Sequence, residues 1–208
     1  MILLWIAQQA ARGLSKYFKK VIAIDASKEQ TKNAYRNPNI EYRIARAEDT
    51  KLDSNSTDLI TIATAIHWVD TELFYKEVKR VLKDGGVFAV WTYSTTSVIN
   101  PSVDEVINSF SKNVLNKHWD DGIKKVWNFD ELEFPFTRLE AQEFEIKREW
   151  CYEDFLNYMF TWSSTQNFIE VNNINPVDLL KEDLRNVWGE DKREVRWKIK
   201  MKIGKTVS

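Results

Sequence analysis

In residues 57–70, TDLITIATAIHWVD, a run that is apolar on both faces stops abruptly at small and polar residues. Leu59-Ile60-Thr61-Ile62-Ala63 is β-branched and shows no alternation. A strand reads this way when it lies inside a parallel sheet, because helices cover both of its faces. His67, Trp68 and Asp70 follow at once. In open α/β sheets ligands sit outside the carboxyl ends of the strands, so these groups occupy the place where such folds do chemistry.

The flanking sequence repeats the theme. Residues 8–19 set Ala11, Leu14 and Phe18 at helical spacing, and Val21-Ile22-Ala23-Ile24-Asp25 is a short apolar strand ending in an acid. A carboxylate at that point either accepts hydrogen bonds from ribose hydroxyls or is a surface acid. A helix from Lys28 to Tyr35 stops at Asn37-Pro38; a third strand, 40–45, runs into Arg46-Ala47-Glu48-Asp49. After the strand within 57–70, Phe74, Val78, Val81 and Leu82 form one stripe of an amphipathic helix over 71–82. Asp84-Gly85-Gly86 offers a left-handed cap, and Val87–Trp91 is another buried strand. Regular alternation of strand and helix implies an α/β fold, Rossmann-like and doubly wound, with a mostly parallel sheet.

Beyond Pro101 the pattern changes. Helices are expected over 103–115, 152–168 and 176–188, an irregular aromatic segment over 118–135, and an alternating strand over 144–150. Residues 194–203, EVRWKIKMKI, alternate basic and apolar residues, which gives an antiparallel C-terminal strand with one wet face whose lysines form a solvated edge. No repeat or linker interrupts the chain. We therefore expect one domain over 1–208, with a core over 9–95, a variable region over 101–190 and a final strand over 194–203.

Composition excludes several classes. Thirty basic and 31 acidic residues leave a formal charge of -1, with no electrostatic footprint for nucleic acid. No apolar run reaches the roughly 20 residues that span a bilayer, and the apolar start lacks the basic flank of a signal peptide. A single Cys151 excludes an internal disulfide and fits a reducing, cytoplasmic setting. One Cys and two distant His do not make a zinc site, so no metal is expected.

VIAIDAS at 21–27, RAED at 46–49, STDLITIATAIHWVD at 56–70 and FYKEVKRVLKDGGVFAVW at 74–91, in this order and spacing, resemble the class I S-adenosylmethionine-dependent methyltransferases. The similarity is greatest to the group that includes trans-aconitate methyltransferase. The resemblance implies a transferase that uses S-adenosylmethionine to methylate a small molecule, such as a small carboxylic acid. It implies that Asp25, with Ala26 beside it, holds the ribose hydroxyls and that Ala47 and Glu48 meet the adenine. It places the backbone of Ala63 beside the methionine part, and His67 and Trp68 where the methyl group is transferred. The residues themselves leave those two rings open as packing groups or as direct participants. Four arginines, Arg138, Arg148, Arg193 and Arg196, offer themselves either to a substrate carboxylate or to solvent. Phe155, Tyr158 and Trp162 form either core or a lid. The oligomeric state is not legible.

One departure divides the functional readings. The family begins with a strand and a glycine-rich turn, which here would fall at residues 4–8, yet no glycine precedes Gly13. Glycine is required where the backbone turns tightly against a cofactor. The sequence therefore supports two outcomes. One is an enzyme. The other is a truncated, non-catalytic chain unable to bind cofactor, lacking the first strand at the centre of the sheet.

Overall fold

The computed structural model describes residues 2–5, 8–32, 34–93 and 99–206, and for residues 2–5, 8, 9, 30, 125 and 126 the backbone alone. Its contacts divide the chain into two compact units. The first comprises residues 1–92, 129–143 and 200–208; the second comprises 93–128 and 144–199.

The first unit opens with β1 (Ile2–Trp5), α1 (Gln8–Leu14), β2 (Val21–Asp25), α2 (Lys28–Lys32), β3 (Ile40–Ile44), β4 (Thr57–Ala63), α3 (Thr71–Val81) and β5 (Leu82–Tyr93). In the second unit α4 (Pro101–Phe110) leads through short π and 3-10 turns to α5 (Asp121–Trp127). The chain then gives β6 (Thr137–Leu139) to the first unit before β7 (Phe144–Trp150), α6 (Tyr152–Phe160), α7 (Ser163–Asn172) and α8 (Lys181–Trp188) complete the second. The last strand, β8 (Arg193–Lys205), begins in the second unit and ends in the first.

The sheet order is β3-β2-β1-β4-β5-β8-β6, with β7 also paired to β8. The pairs joining β3, β2, β1, β4 and β5 are all parallel, and β6 and β7 run antiparallel to β8. This is the expected doubly wound sheet with an antiparallel C-terminal strand. The expectation of a missing first strand is corrected here. Residues 2–5 form β1, hydrogen-bonded on both sides to β2 and β4, so the backbone groups of its neighbours are met. Four apolar residues carry no periodic signal; their place is set by the two strands that flank them.

Apolar spacing explains the packing on either face. Ala11 of α1 is buried with Val21 and Ile40, and Leu14 and Phe18 pack against them. On α3, Phe74 and Tyr75 meet Phe88 of β5 edge-on, and Phe134 and Phe136 close the same aromatic group. In the second unit the core holds Phe155, Trp162, Trp188 and Trp197, with Tyr158 packed against it. Phe155 and Trp162 are thus core residues of that unit, and Tyr158 is a partly buried residue at its edge. Burial, with Tyr93 nearby, pushes the Tyr158 hydroxyl up to about 12.

Three local readings change. The glycine pair does not cap α3, which passes straight into extended backbone at Leu82; Gly85 takes its positive φ of 72° further on, where β5 carries extra residues between its pairings at Leu82 and Val87. Residues 152–168 are two helices, because Trp162 is extended (ψ 136°) and the Thr165 hydroxyl donates to the Met159 carbonyl across the break. Lys202 is not a solvated edge lysine. It is 7% exposed, and its ammonium donates to the carbonyls of Asp130 and Leu132. Burial, with Arg138 adding to it, lowers its pKa. His118 is half-buried with its ring 4.7 Å from that of Phe168.

Candidate functional site

In the first unit the strand order turns back between β1 and β4: the chain leaves β1 for β2 and β3 on one side and returns to β4 on the other. Open α/β sheets bind ligands in the crevice at this reversal, because the loops diverge there and leave room. The register fixes what lies at the crevice. Trp5 is level with Ile24 on one side and Ile62 on the other. Asp25 and Ala63 are one residue further on, and so flank the end of β1.

Asp25 ends β2. Its Oδ1 accepts the backbone N–H of Ser27 at 2.7 Å, which turns the chain into α2. The other carboxylate oxygen has no partner among the described residues. Ala26 follows at the turn. Asp25 also pairs with Ile44, so the loop after β3 starts beside it, and the Ala45 N–H donates to the Asp25 carbonyl at 3.2 Å. That loop closes on itself through Asp49 N–H and the Arg46 carbonyl, burying Ala47.

Glu48 leaves this turn with its side chain only 8% exposed. Its Oε1 accepts the backbone N–H of Asp70 at 2.9 Å, 22 residues away. Arg46, whose side chain is 76% exposed, approaches at 3.4 Å. Burial raises the Glu48 carboxyl, but the N–H of Asp70, its own N–H and Arg46 outweigh this and hold it below the usual carboxylate range.

β4 ends in buried Ala63 and then in Thr64, whose φ of 50° is unusual for a β-branched residue. The Thr64 N–H donates to the Trp91 carbonyl of β5 at 2.8 Å. Buried Ala65 leads into the 3-10 turn Ile66–Trp68. The rings of His67 and Trp68 lie 4.8 Å apart, tilted by 49°. His67 is half-buried and Trp68 is 55% exposed. Asp70 then caps α3 by accepting the Leu73 N–H at 3.1 Å.

All seven residues singled out from sequence therefore sit on the carboxyl-end segments of β2, β3 and β4. The hydrogen bond from Asp70 to Glu48 joins the second segment to the third. Thr64 was missed as a site-shaping residue; Asp70 was placed at the strand end but not read as the cap of α3, although Asp-Thr-Glu was a legible capping signal. Residues 6 and 7, inside the expected glycine-rich turn, lie outside the described residues, as does the side chain of Trp5. Of the four arginines three lie in the second unit, where Arg193 donates to the Trp188 carbonyl, Arg148 to that of Lys147, and Arg196 lies 3.5 Å from Glu194. Arg138 lies on β6 of the first unit. Among the described residues no cluster of three or more His, Cys, Asp or Glu is arranged to hold a metal ion, and no helix is long and apolar enough to cross a membrane.

Residues 7–90 match the family model described as a methyltransferase domain. The chain is 31% identical over 179 residues to a Dictyostelium discoideum protein named as a methyltransferase, covering 85% of this chain and 68% of that one. It is 28% identical over 123 residues to a Saccharomyces cerevisiae protein named as an S-adenosylmethionine-dependent methyltransferase, covering 53% of this chain and 42% of that one. Among solved structures it resembles one from Anaeromyxobacter dehalogenans, described as a type II methyltransferase. There the TM-score is 0.85 and the identity 32%, over 98% of this chain and 89% of that one.

Proposed function

This chain belongs to the class I S-adenosylmethionine-dependent methyltransferases, and from that premise we propose that its crevice binds S-adenosylmethionine and that the chain methylates a small molecule. The observation that supports this most is the pair of strand ends flanking β1. Asp25 offers a carboxylate oxygen without a partner among the described residues, and Ala63 offers backbone with only a methyl side chain. That donor set suits a nucleoside, since a carboxylate accepts from vicinal ribose hydroxyls. Ala26 is exposed beside it, and we place the adenine there with the Ala47–Glu48 loop.

The cofactor, when bound, supplies a methyl group on a sulfonium. The chain's own work is then to hold, orient and exclude water. Positioning alone is worth roughly 7–11 kcal/mol when the reacting groups are aligned. We assign His67 and Trp68 to the acceptor side of the crevice, where the exposed Trp68 ring offers an apolar face. A small carboxylic acid is the acceptor class we favour, because a carboxylate is a nucleophile at neutral pH and needs no base. For a hydroxyl or amine acceptor, His67 would take the proton.

Incubating the protein with methyl-labelled cofactor and pools of small carboxylic acids, amines and phenols tests this. We expect label in the acid pool. Label only in amines or phenols would replace the acceptor class. No cofactor bound and no label in any pool would favour the non-catalytic reading, which the lack of a glycine before Gly13 supports.

A further inference from the structure

We propose that Glu48 is a positioning residue: it holds the turn that carries His67 and Trp68 by accepting the backbone N–H of Asp70. This deepens the functional reading above, and its consequence for methyl transfer rests on that reading. The resemblance assigns the Ala47–Glu48 loop to the adenine. The geometry gives the Glu48 carboxylate other work, because its Oε1 is engaged 22 residues away at 2.9 Å and its side chain is nearly buried.

The turn needs an anchor. Ile66–Trp68 is one 3-10 turn closed by the bond from Trp68 N–H to the Ala65 carbonyl. So short a turn is not stable alone. Upstream it is fixed where Thr64 N–H meets the Trp91 carbonyl. Downstream it is fixed where Asp70 meets Glu48. Asp70 serves twice, since its carboxylate caps α3 while its N–H reaches Glu48. Without Glu48 the downstream end would keep, among the described residues, its ties to α3 alone: the cap and the Phe74 N–H donated to the Asp70 carbonyl. A hydrogen bond between a backbone N–H and a buried carboxylate is among the stronger kinds. The loop placed against the adenine thereby also sets the ring pair placed at the methyl group, so occupation of one is felt by the other.

Fluorine NMR of protein labelled with 5-fluorotryptophan tests this, with the Trp68 line identified by Trp68→Phe. Glu48→Ala should move the Trp68 line and speed amide exchange at Asp70 by about 10- to 100-fold, the scale of one lost charge-assisted bond. Glu48→Gln keeps an acceptor oxygen and should restore both. Asp70→Pro deletes the donor from the other side. Asp70 has φ -71° and Val69 is extended (φ -109°, ψ 153°), so proline fits the backbone. It should move the Trp68 line, whereas Asp70→Ala, which removes the cap and keeps the donor, should move it less. Should Glu48→Ala not fold, the comparison of the two Asp70 variants decides. A Trp68 line that stays in place in Glu48→Ala and in Asp70→Pro overturns the proposal. Titration of the wild-type chain with S-adenosylhomocysteine reports separately on the cofactor reading; failure there, with the Trp68 line still responding to Glu48→Ala, would remove that reading and leave the clamp.

Discussion

Glu77 shows how one side chain joins two segments. It lies buried on α3, and its carboxylate accepts Thr50 N–H at 2.9 Å, the Thr50 hydroxyl at 2.5 Å, and Arg80 Nε and Nη2 at 2.7 and 2.8 Å. Burial pushes its carboxyl up, but Arg80 and Thr50 outweigh this and hold it below the ordinary value. A carboxylate depressed in the folded state contributes stability above its unfolded pKa, near 4.3, and that contribution fades as pH falls through the folded value. Glu77→Gln should therefore cost about 2 kcal/mol at pH 7 and progressively less below about pH 4, read from urea unfolding across pH. Thr64 is the opposite case. Its left-handed backbone carries strain on the order of 1–3 kcal/mol, partly offset in a glycine variant by the greater freedom of the unfolded chain. Thr64→Gly should leave stability unchanged or raise it by about 1 kcal/mol in the same assay, whereas Thr61→Gly, in extended backbone within β4, should lower it. At this scale the sequence showed residue types at strand ends. It could not show that Glu48 reaches Asp70, because only the fold brings those positions together.

Elements with a clear residue pattern were legible: the unbroken apolar run of β4, the stripe of α3 and the alternation of β7 all lie where that pattern put them. Short elements were not. β1 and the three-residue β6 are strands because of what they pair with, and neither has enough residues to show a period. The break between α6 and α7 was hidden because apolar spacing continues across it while the turn is made by a threonine hydroxyl. Glycines test the element-scale account. A Cβ on Gly204 of β8 would lie 2.7 Å from Phe134 Cε1 and 2.8 Å from Phe136 Cβ, while one on Gly13 of α1 would meet nothing within 4 Å. Gly204→Ala should thus destabilise by about 1–3 kcal/mol, and Gly13→Ala should stabilise by about 0.5–1 kcal/mol, both measured by thermal unfolding.

For the whole molecule, the spacing led us to expect a core over 9–95, whereas the contacts give a first unit whose first segment is residues 1–92. It could not see that residues 129–143 and 200–208 return to that unit, since nothing in local spacing records a long-range return. We retain the proposal that both units serve a single methyltransferase-like domain. Everything functional in this account depends on the first unit receiving a sulfonium nucleoside between the ends of β2 and β4. Calorimetric titration of S-adenosylhomocysteine into the wild-type chain and into Asp25→Ala is the direct measurement. One site per wild-type chain is expected, with affinity about 10- to 100-fold weaker in the variant, the scale of hydrogen bonds to a charged group. No heat of binding to the wild-type chain, or equal affinity in the variant, would contradict it.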